Sequence, residues 1–294
     1  MTPAEQQFLT RNKLPESYLD SAEKWFSPLL EHYKTVGDRP LVIGINGSQG
    51  SGKSTLADYL CTLLSERYAL RCVSLSLDDF YLTKLERQQL AATVHPLLAT
   101  RGVPSTHDIP LAMETIAKLA NGSADTLIPR FDKSRDDRMP EAQCERISGA
   151  VDIIVFEGWC VGAQPQTDEQ LAESLNSLEA EQDADKIWRT TVNQALSGEY
   201  QELFDLLDEL IMLQAPSFET VFNWRLEQEE KMRARLGDLA SGEHLSGIMS
   251  ASQISQFIAH YQRITEHSLG EMPQRTDHLY KLDNQRQIVD CSHK

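Results

Sequence analysis

Leu41-Val-Ile-Gly-Ile-Asn-Gly47-Ser-Gln-Gly-Ser-Gly52-Lys53-Ser54-Thr55 joins two kinds of sequence across one short turn. The opening run is apolar and largely β-branched, the pattern of a buried strand. From Leu56 the apolar positions fall at 56, 60, 63 and 64, one face of a helix laid on a sheet. Between the two stands Gly47-x-x-x-x-Gly52-Lys53-Ser54, the spacing of a phosphate-binding loop. At ordinary residue usage these four fixed positions recur by chance in about one chain of this length per hundred; the alternative is a Gly/Ser-rich turn between strand and helix. Glycines let the backbone curl until successive N–H groups converge on one anion. The helix N-terminus adds partial positive charge. Lys53 has the reach for the β- and γ-phosphates of ATP, and the Ser54 hydroxyl suits Mg²⁺. Gly47, Ser48, Gln49, Gly50, Ser51, Gly52, Lys53, Ser54 and Thr55 are the expected ATP-binding residues.

The rest of the composition narrows the class. A chain of 294 residues suits one large α/β domain or two small ones. Hydrophobic content of 40% and charged content of 24% fit a soluble globular protein. Net charge is −16, and no nucleic-acid partner is expected without a concentrated basic patch. Cys61, Cys72, Cys144, Cys160 and Cys291 are dispersed and include no C-x-x-C pair. That favours reduced thiols in the cytoplasm. Met1-Thr-Pro-Ala-Glu5 has neither a basic nor an apolar leader region, so no signal peptide is expected. No apolar run approaches 18 residues, so no membrane partner is expected either.

Residues 4–35 read as helical, with Phe8, Leu14, Tyr18, Trp25, Phe26, Leu29, Leu30 and Tyr33 as the apolar members. They form an expected N-terminal helical extension, residues 1–37, ahead of a nucleotide-binding domain at 38–294. Arg71–Leu77 reads as a second strand, ending in Asp78-Asp79-Phe80-Tyr81. A short helix and loop at 84–98 and a helix at Ile109–Asn121 follow. Residues 126–138 read as a strand entering a charged loop, and Val151–Phe156 as a buried strand closed by Glu157-Gly158. Residues 168–207 are helical in pattern, 210–213 a short strand or a helix tail, 219–236 a helix, 237–247 a loop and 251–268 a helix. The chain ends in a strand and turn from Thr276. Strands alternating with helices give a three-layer α/β/α fold with a mostly parallel sheet. Ligands of such sheets bind beyond the carboxyl ends of the strands. The phosphate loop, Asp78-Asp79 and Glu157 all fall there.

Asp78 and Asp79 follow a strand directly. One carboxylate there can orient an alcohol and accept its proton, while a second can hold Mg²⁺ through water. Either can equally cap the next helix. Glu157 stands where an acid orders the Mg²⁺ shell, so Ser54 and Glu157 are the candidate metal residues. Asp152, at the other end of that strand, reads as structural. Arg130, Lys133, Arg135 and Arg138 form a cationic cluster in an acidic chain, though Asp132, Asp136 and Asp137 interleave it. Arg130 and Lys133 lie nearest the strand end and are the candidates for gripping a carboxylate or the γ-phosphate. Arg135 and Arg138 are placed to close over the phosphates. Arg101, His107 and Asp108 form a second polar group, and His107 has no second ligand at metal spacing. Arg225 either reaches the nucleotide from a lid helix or pairs with Glu229 at i,i+4.

With Leu77-Asp78-Asp79-Phe80-Tyr81 and Phe156-Glu157-Gly158 beside the phosphate loop, the chain resembles the phosphoribulokinase, uridine kinase and pantothenate kinase superfamily. Its members are P-loop kinases of small-molecule hydroxyls, and the resemblance puts the family's catalytic aspartate on Asp78. Longer stretches narrow it. They are Thr100-Arg-Gly-Val-Pro-Ser-Thr-His-Asp108, Pro129-Arg-Phe-Asp-Lys-Ser134, Glu157-Gly-Trp159, Trp188-Arg189 with Val192-Asn193, and Ala215-Pro-Ser-Phe218 with Trp224-Arg225 and Gln228-Glu229. Together they look like the D-glycerate 3-kinase type, over roughly residues 38 to 290. Two departures stand out: Ser105 takes a position where the family often has glycine, and the loop from Lys133 to Arg138 is shorter.

The combined expectation is an ATP- and Mg²⁺-dependent kinase of a small organic acid, with D-glycerate as the leading acceptor. Lys53, Asp78 and Glu157 are its expected catalytic residues. Asp78, Asp79, Tyr81, Arg101, His107, Arg130 and Lys133 are expected around the acceptor. The alternatives are a nucleoside or pantothenate kinase, with Tyr81 and Phe131 as a stacking platform, or an ATP-binding regulatory protein without turnover.

Overall fold

A computed structural model of the protein describes residues 1–35, 37, 39–237 and 251–294. Two helices open it, α1 (Pro3–Asn12) and α2 (Ser17–Tyr33). A reciprocal cap between Thr2 and Glu5 starts α1, and Lys13, in the left-handed region at φ +56°, stops it. Pro15 follows and disfavours helical backbone at Leu14, so the single helix expected over 4–35 is two.

The chain continues through β1 (Leu41–Gly47), α3 (Lys53–Tyr68), β2 (Cys72–Ser76), a 3₁₀ turn at Leu77–Phe80, α4 (Lys84–Thr93) and α5 (Ile109–Ala120). Four two-residue strands come next: β3 (Thr126–Leu127), β4 (Phe131–Asp132), β5 (Asp137–Arg138) and β6 (Arg146–Ile147). Then come β7 (Ile153–Gly158), α6 (Asp168–Ala172), α7 (Ser177–Gln182), α8 (Ile187–Ser197), α9 (Glu199–Phe204) and β8 (Glu209–Gln214). The chain closes with α10 (Phe218–Gly237), α11 (Ala251–Glu271), β9 (His278–Leu282) and β10 (Ile288–His293).

The main sheet has the order β10-β9-β8-β1-β7-β2. All its pairings are parallel except the edge pair β9–β10. Strand alternation feeds both faces. Ile43, Ile45, Ile153 and Val155 point into a core shared with Phe8, Leu29, Leu30 and the apolar face of α3. Val42, Ile154 and Phe156 point into the opposite core, with residues of α5, α8, α9 and α11. The fold is therefore α/β in three layers. The layer that carries α3 also carries α1 and α2, whose Phe8 and Leu29 are fully buried.

Three expectations are refined. The segment 126–138 supplies no strand to the main sheet. It forms an arm of two small hairpins, β3–β6 and β4–β5, because Pro129 interrupts its apolar run. The helical region 168–207 is four helices, broken among other places by Lys186 at φ +62° and by Gly198. The terminal strand and turn is a complete antiparallel hairpin, β9–β10. The loop expected at 237–247 lies outside the described residues from 238 on. Asp152 is structural as expected: its carboxylate accepts the Arg71 N–H at 2.7 Å. No helix among the described residues is long and apolar enough to cross a membrane.

Candidate active site

The phosphate loop begins where β1 leaves the centre of the sheet. β1 lies between β7 and β8, and its register sets Ile45 beside Glu157 and Gly47 beside Leu213. Gly47 is tightly enclosed: a Cβ there would run into Ser51 Oγ and stand 3.3 Å from Leu213 Cβ. Gly50 and Gly52 take φ +82° and +95°, conformations that glycine enters without steric cost. Gly52 is the N-cap of α3, and no side chain caps that end. The first N–H groups of α3 are thus left for an anion.

Beneath the loop, the Ser54 hydroxyl donates to Glu157 Oε1 at 2.7 Å, and Lys53 Nζ stands 3.8 Å from Glu157 Oε2. Glu157 is only 4% exposed. Its Oε2 and the hydroxyls of Ser48 and Ser51 are buried without a hydrogen-bond partner among the described residues. Buried polar atoms are ordinarily paired. Three orphaned oxygens in and under one glycine loop fit a missing phosphate and its cation. Ser54 and Glu157 are the pair that would hold the cation.

Beside the loop opens a cavity of about 740 Å³, lined among others by Gly50, Ser54, Thr55, Tyr18 and Phe26 of α2, and Arg286. Arg286, in the β9–β10 turn, donates to the Gly50 carbonyl at 3.0 Å and pairs with Glu227 at 2.6 Å. No local sequence signal marks it, since its partners are 236 and 59 positions away along the chain.

The two acids after β2 have different partners. Asp78 Oδ2 accepts from Lys133 Nζ at 2.6 Å, and Oδ1 accepts from the Tyr81 hydroxyl at 2.7 Å. Burial alone would raise this carboxyl, but Lys133, Lys53 and the Tyr81 hydrogen bond outweigh it and hold it at about 2. Asp79 turns to the arm, accepting from Arg130 Nη1 at 2.7 Å and from the Phe131 N–H at 3.2 Å. Burial wins there, and the Asp79 carboxyl lies above its ordinary value despite Arg130.

His107 is buried, stacked on Tyr81 with ring centres 4.5 Å apart, and its Nδ1 lies 2.5 Å from the Tyr200 hydroxyl. Burial pushes it down to about 3, so the ring is neutral. Arg101 pairs with Asp136 and sits over the Phe131 ring at 5.5 Å. Arg138, expected near the phosphates, instead donates to the Tyr81 carbonyl and to Asp108, both at 2.9 Å. Arg135 is exposed. Arg225 lies on α10 with its guanidinium 5.9 Å from the Phe257 ring of α11.

One group missed in the sequence organises this side. Arg87 is 1% exposed and donates to the carbonyls of Leu82, Ala99 and Asp136 while pairing with the Asp136 carboxylate at 2.9 Å. Tyr261 is a second. Its hydroxyl donates to the Arg101 carbonyl at 3.0 Å. Burial and the Asp78 charge raise its phenol, while Arg101, Gln49 and Arg225 oppose them. Asp78, Gln49 of the phosphate loop and Arg225 of α10 thus all act electrostatically on one phenol.

A glycine loop running into an uncapped helix, with an acid beneath it and a lysine-paired aspartate at the next strand end, defines a P-loop kinase. No protein-family model matches the chain. The uncharacterized kinase mug58 of Schizosaccharomyces pombe is 34% identical over 264 residues, which cover 87% of each chain. The chloroplastic D-glycerate 3-kinase of Arabidopsis thaliana is 30% identical over 236 residues, 76% of this chain but 46% of that one. A solved structure of D-glycerate 3-kinase from Cryptococcus neoformans superposes with a TM-score of 0.74 at 26% identity, covering 95% of this chain and all of the other. The chain belongs to the D-glycerate 3-kinase-like P-loop kinases and is an ATP-dependent phosphotransferase.

Proposed function

We propose that the protein transfers the γ-phosphoryl group of ATP to a hydroxyl of a small organic acid, with D-glycerate the leading acceptor and Mg²⁺ the accompanying cation. The observation that carries this is the Lys133–Asp78 pair, whose acid also feels the charge of the phosphate-loop lysine, Lys53. A hydroxyl brought there stands between a carboxylate that can orient it and the cations that hold the phosphoryl group. A carboxylate held at about 2 is a weak base. That suits a loose transition state, in which the hydroxyl gives up its proton late and positioning matters more than basicity.

In this reading Gly47–Thr55 cradles the phosphates and Lys53 follows the transferring group. Ser54 and Glu157 hold Mg²⁺, which when bound neutralises charge on the phosphates. The N-terminal helices wall the cavity for the rest of the nucleotide. Lys133, 60% exposed, is free to swing from Asp78 toward an acceptor carboxylate, while Arg101 and Arg130 hold the surrounding frame. Tyr81, Asp79 and His107 act by positioning, since their polar or ring contacts lie within the protein. Arg225 stays the residue assigned to a lid.

A nucleoside acceptor has less support. Tyr81 and Phe131, the expected stacking platform, are buried, with faces taken by His107 and Arg101. The five free cysteines support a reducing, cytoplasmic setting. The test is ADP release measured over hydroxy acids, nucleosides and pantothenate. Turnover with D-glycerate is the expected result; turnover confined to nucleosides would refute the acid reading, and turnover confined to pantothenate, itself a carboxylic acid, would refute D-glycerate as the acceptor.

A further inference from the structure

The sheet has a second polar cluster at the edge opposite the phosphate loop. β1, β8 and β9 run parallel, so the starts of β8 and β9 lie at that far edge. Glu209 begins β8 and His278 begins β9. His293, at the end of antiparallel β10, pairs in register with His278. His32, in the last turn of α2, reaches in from the helical layer.

The distances are those of one connected site. Glu209 Oε1 lies 2.8 Å from His32 Nε2, and Glu209 Oε2 lies 2.9 Å from His278 Nε2. The Tyr33 hydroxyl donates to Oε2 at 2.9 Å. Nδ1 of His278 lies 2.8 Å from Nδ1 of His293. One ligand atom from each of His32, Glu209 and His278 falls within 4.8 Å of the other two. His278 is buried, while His32 is half exposed and gives access from solvent.

We propose that His32 Nε2, His278 Nε2 and the Glu209 carboxylate form a binding site for a transition-metal dication of the Zn²⁺ class. Two imidazoles and one carboxylate with a solvent-facing side are a donor set for Zn²⁺, Co²⁺ or Ni²⁺ rather than Mg²⁺. Metal–ligand bonds of about 2.0–2.1 Å in a tetrahedron set ligand atoms about 3.3–3.4 Å apart; each imidazole stands about half an ångström closer than that to its own Glu209 oxygen, and the three ligand atoms all lie within 4.8 Å of one another. The outer contacts are also of the right kind. A metal on His278 Nε2 requires the tautomer with hydrogen on Nδ1, and His293 Nδ1 stands ready to accept that hydrogen. Such a partner fixes the ring and raises its basicity, and the Tyr33 hydroxyl orients the Glu209 carboxylate by donating to it. The ion would clasp α2 to β8 and β9.

The experiment is calorimetric titration of Zn²⁺ into the full chain at neutral pH with excess Mg²⁺ present, so that the kinase site does not compete. Co²⁺ spectra are recorded in parallel. One Zn²⁺ per chain at micromolar affinity or tighter is expected, with the intense visible bands of tetrahedral Co²⁺. His32→Ala, an exposed position where truncation leaves no cavity, weakens Zn²⁺ at least ~10-fold and removes the bands, while ADP release without Zn²⁺ is unchanged. His293→Phe weakens binding by a factor of about 10–100 through the outer contact. Absence of stoichiometric binding overturns the proposal. So does equal affinity in wild type and His32→Ala, since the metal would then sit on other ligands such as the thiols. Neither result bears on the acceptor of the kinase.

Discussion

In the phosphate loop, Gly50 and Gly52 take φ +82° and +95°; at the end proposed for the acceptor, Ser105 and Asp136 take +81° and +56°. The backbone demand is the same and the residues that meet it are not. In the phosphate loop the main chain itself is the binding surface, so side chains would be in the way. On the acceptor side, left-handed turns only aim side chains: Asp136 faces Arg87 and Arg101. The first half keeps buried oxygens unpaired for a ligand. The second half has nearly every charge already paired within the protein. One end is a socket and the other a braced frame, and substitutions should tell them apart.

The sharpest break comes in the socket. Lys53→Ala should reduce turnover by at least ~10³-fold, more than one ordinary stabilising donor contributes. The fold should survive, because the part Lys53 plays within the protein is a 3.8 Å approach to Glu157 and a charge effect on Asp78, which Lys133 and Tyr81 still hold. Steady-state kinetics with circular dichroism check this. Loss of fold would mean that the socket is itself a brace.

Next is Asp78→Asn, which should lower kcat by roughly 10²–10⁴ with the KM for ATP nearly constant. Asp79→Asn should behave differently. It removes the charge pair with Arg130 while an amide oxygen can still accept the Phe131 N–H, so it should lower Tm and raise the acceptor KM before it touches kcat. If Asp79 were the more sensitive in kcat, the catalytic role would pass to it.

Lys133→Ala tests the meeting point of socket and frame. Lys133 is among the charges that hold the Asp78 carboxyl at about 2, below its ordinary value. A depressed carboxyl is ionised at every pH above its folded value, so Asp78 imposes no acid limb on activity near neutrality. Removing Lys133 lets the value rise, and an acid limb should move up toward the ordinary carboxylate range near pH 4. The acceptor KM should rise about 10-fold, with the KM for ATP unchanged. An unshifted limb would show that Lys53 and Tyr81 alone control the acid.

What could be read in the sequence follows the same division. The socket is contiguous: strand, glycines, lysine and hydroxyl lie within Leu41–Thr55, and their geometry is set by near neighbours. Asp78 and Glu157 were legible because strand ends gather at one edge. The frame was not. Arg87 meets Asp136 across 49 positions, and Arg286 meets Gly50 across 236. No periodicity links such pairs. Asp79 and Arg130 were both singled out, but nothing local told that they bind one another. The charged loop at 132–138 reads as a cationic cluster with Arg135 and Arg138 set to close over the phosphates, yet Asp136, Asp137 and Arg138 are partly buried and Arg138 is bound to Asp108.

The smallest effect is the most diagnostic of the frame. The resemblance to the D-glycerate 3-kinase type leads one to expect glycine where Ser105 stands, and its φ of +81° lies where glycine bears no steric cost. An L-residue pays roughly 1–2 kcal/mol in left-handed backbone, while glycine costs about 0.5–1 kcal/mol in chain entropy. Ser105→Gly should therefore stabilise the protein by up to ~1 kcal/mol, read as a small rise in denaturant midpoint with unchanged m-value. The segment is pinned on both sides: Thr106 Oγ1 accepts the Gly102 N–H at 3.0 Å, and Trp159 Nε1 donates to the Gly102 carbonyl at 2.8 Å. Relief of strain should leave those contacts, and hence kcat, unaltered. If kcat fell while stability rose, the strain at Ser105 would be part of how the frame presents Tyr81 and Asp78, and the acceptor end would be a sprung device rather than a passive brace.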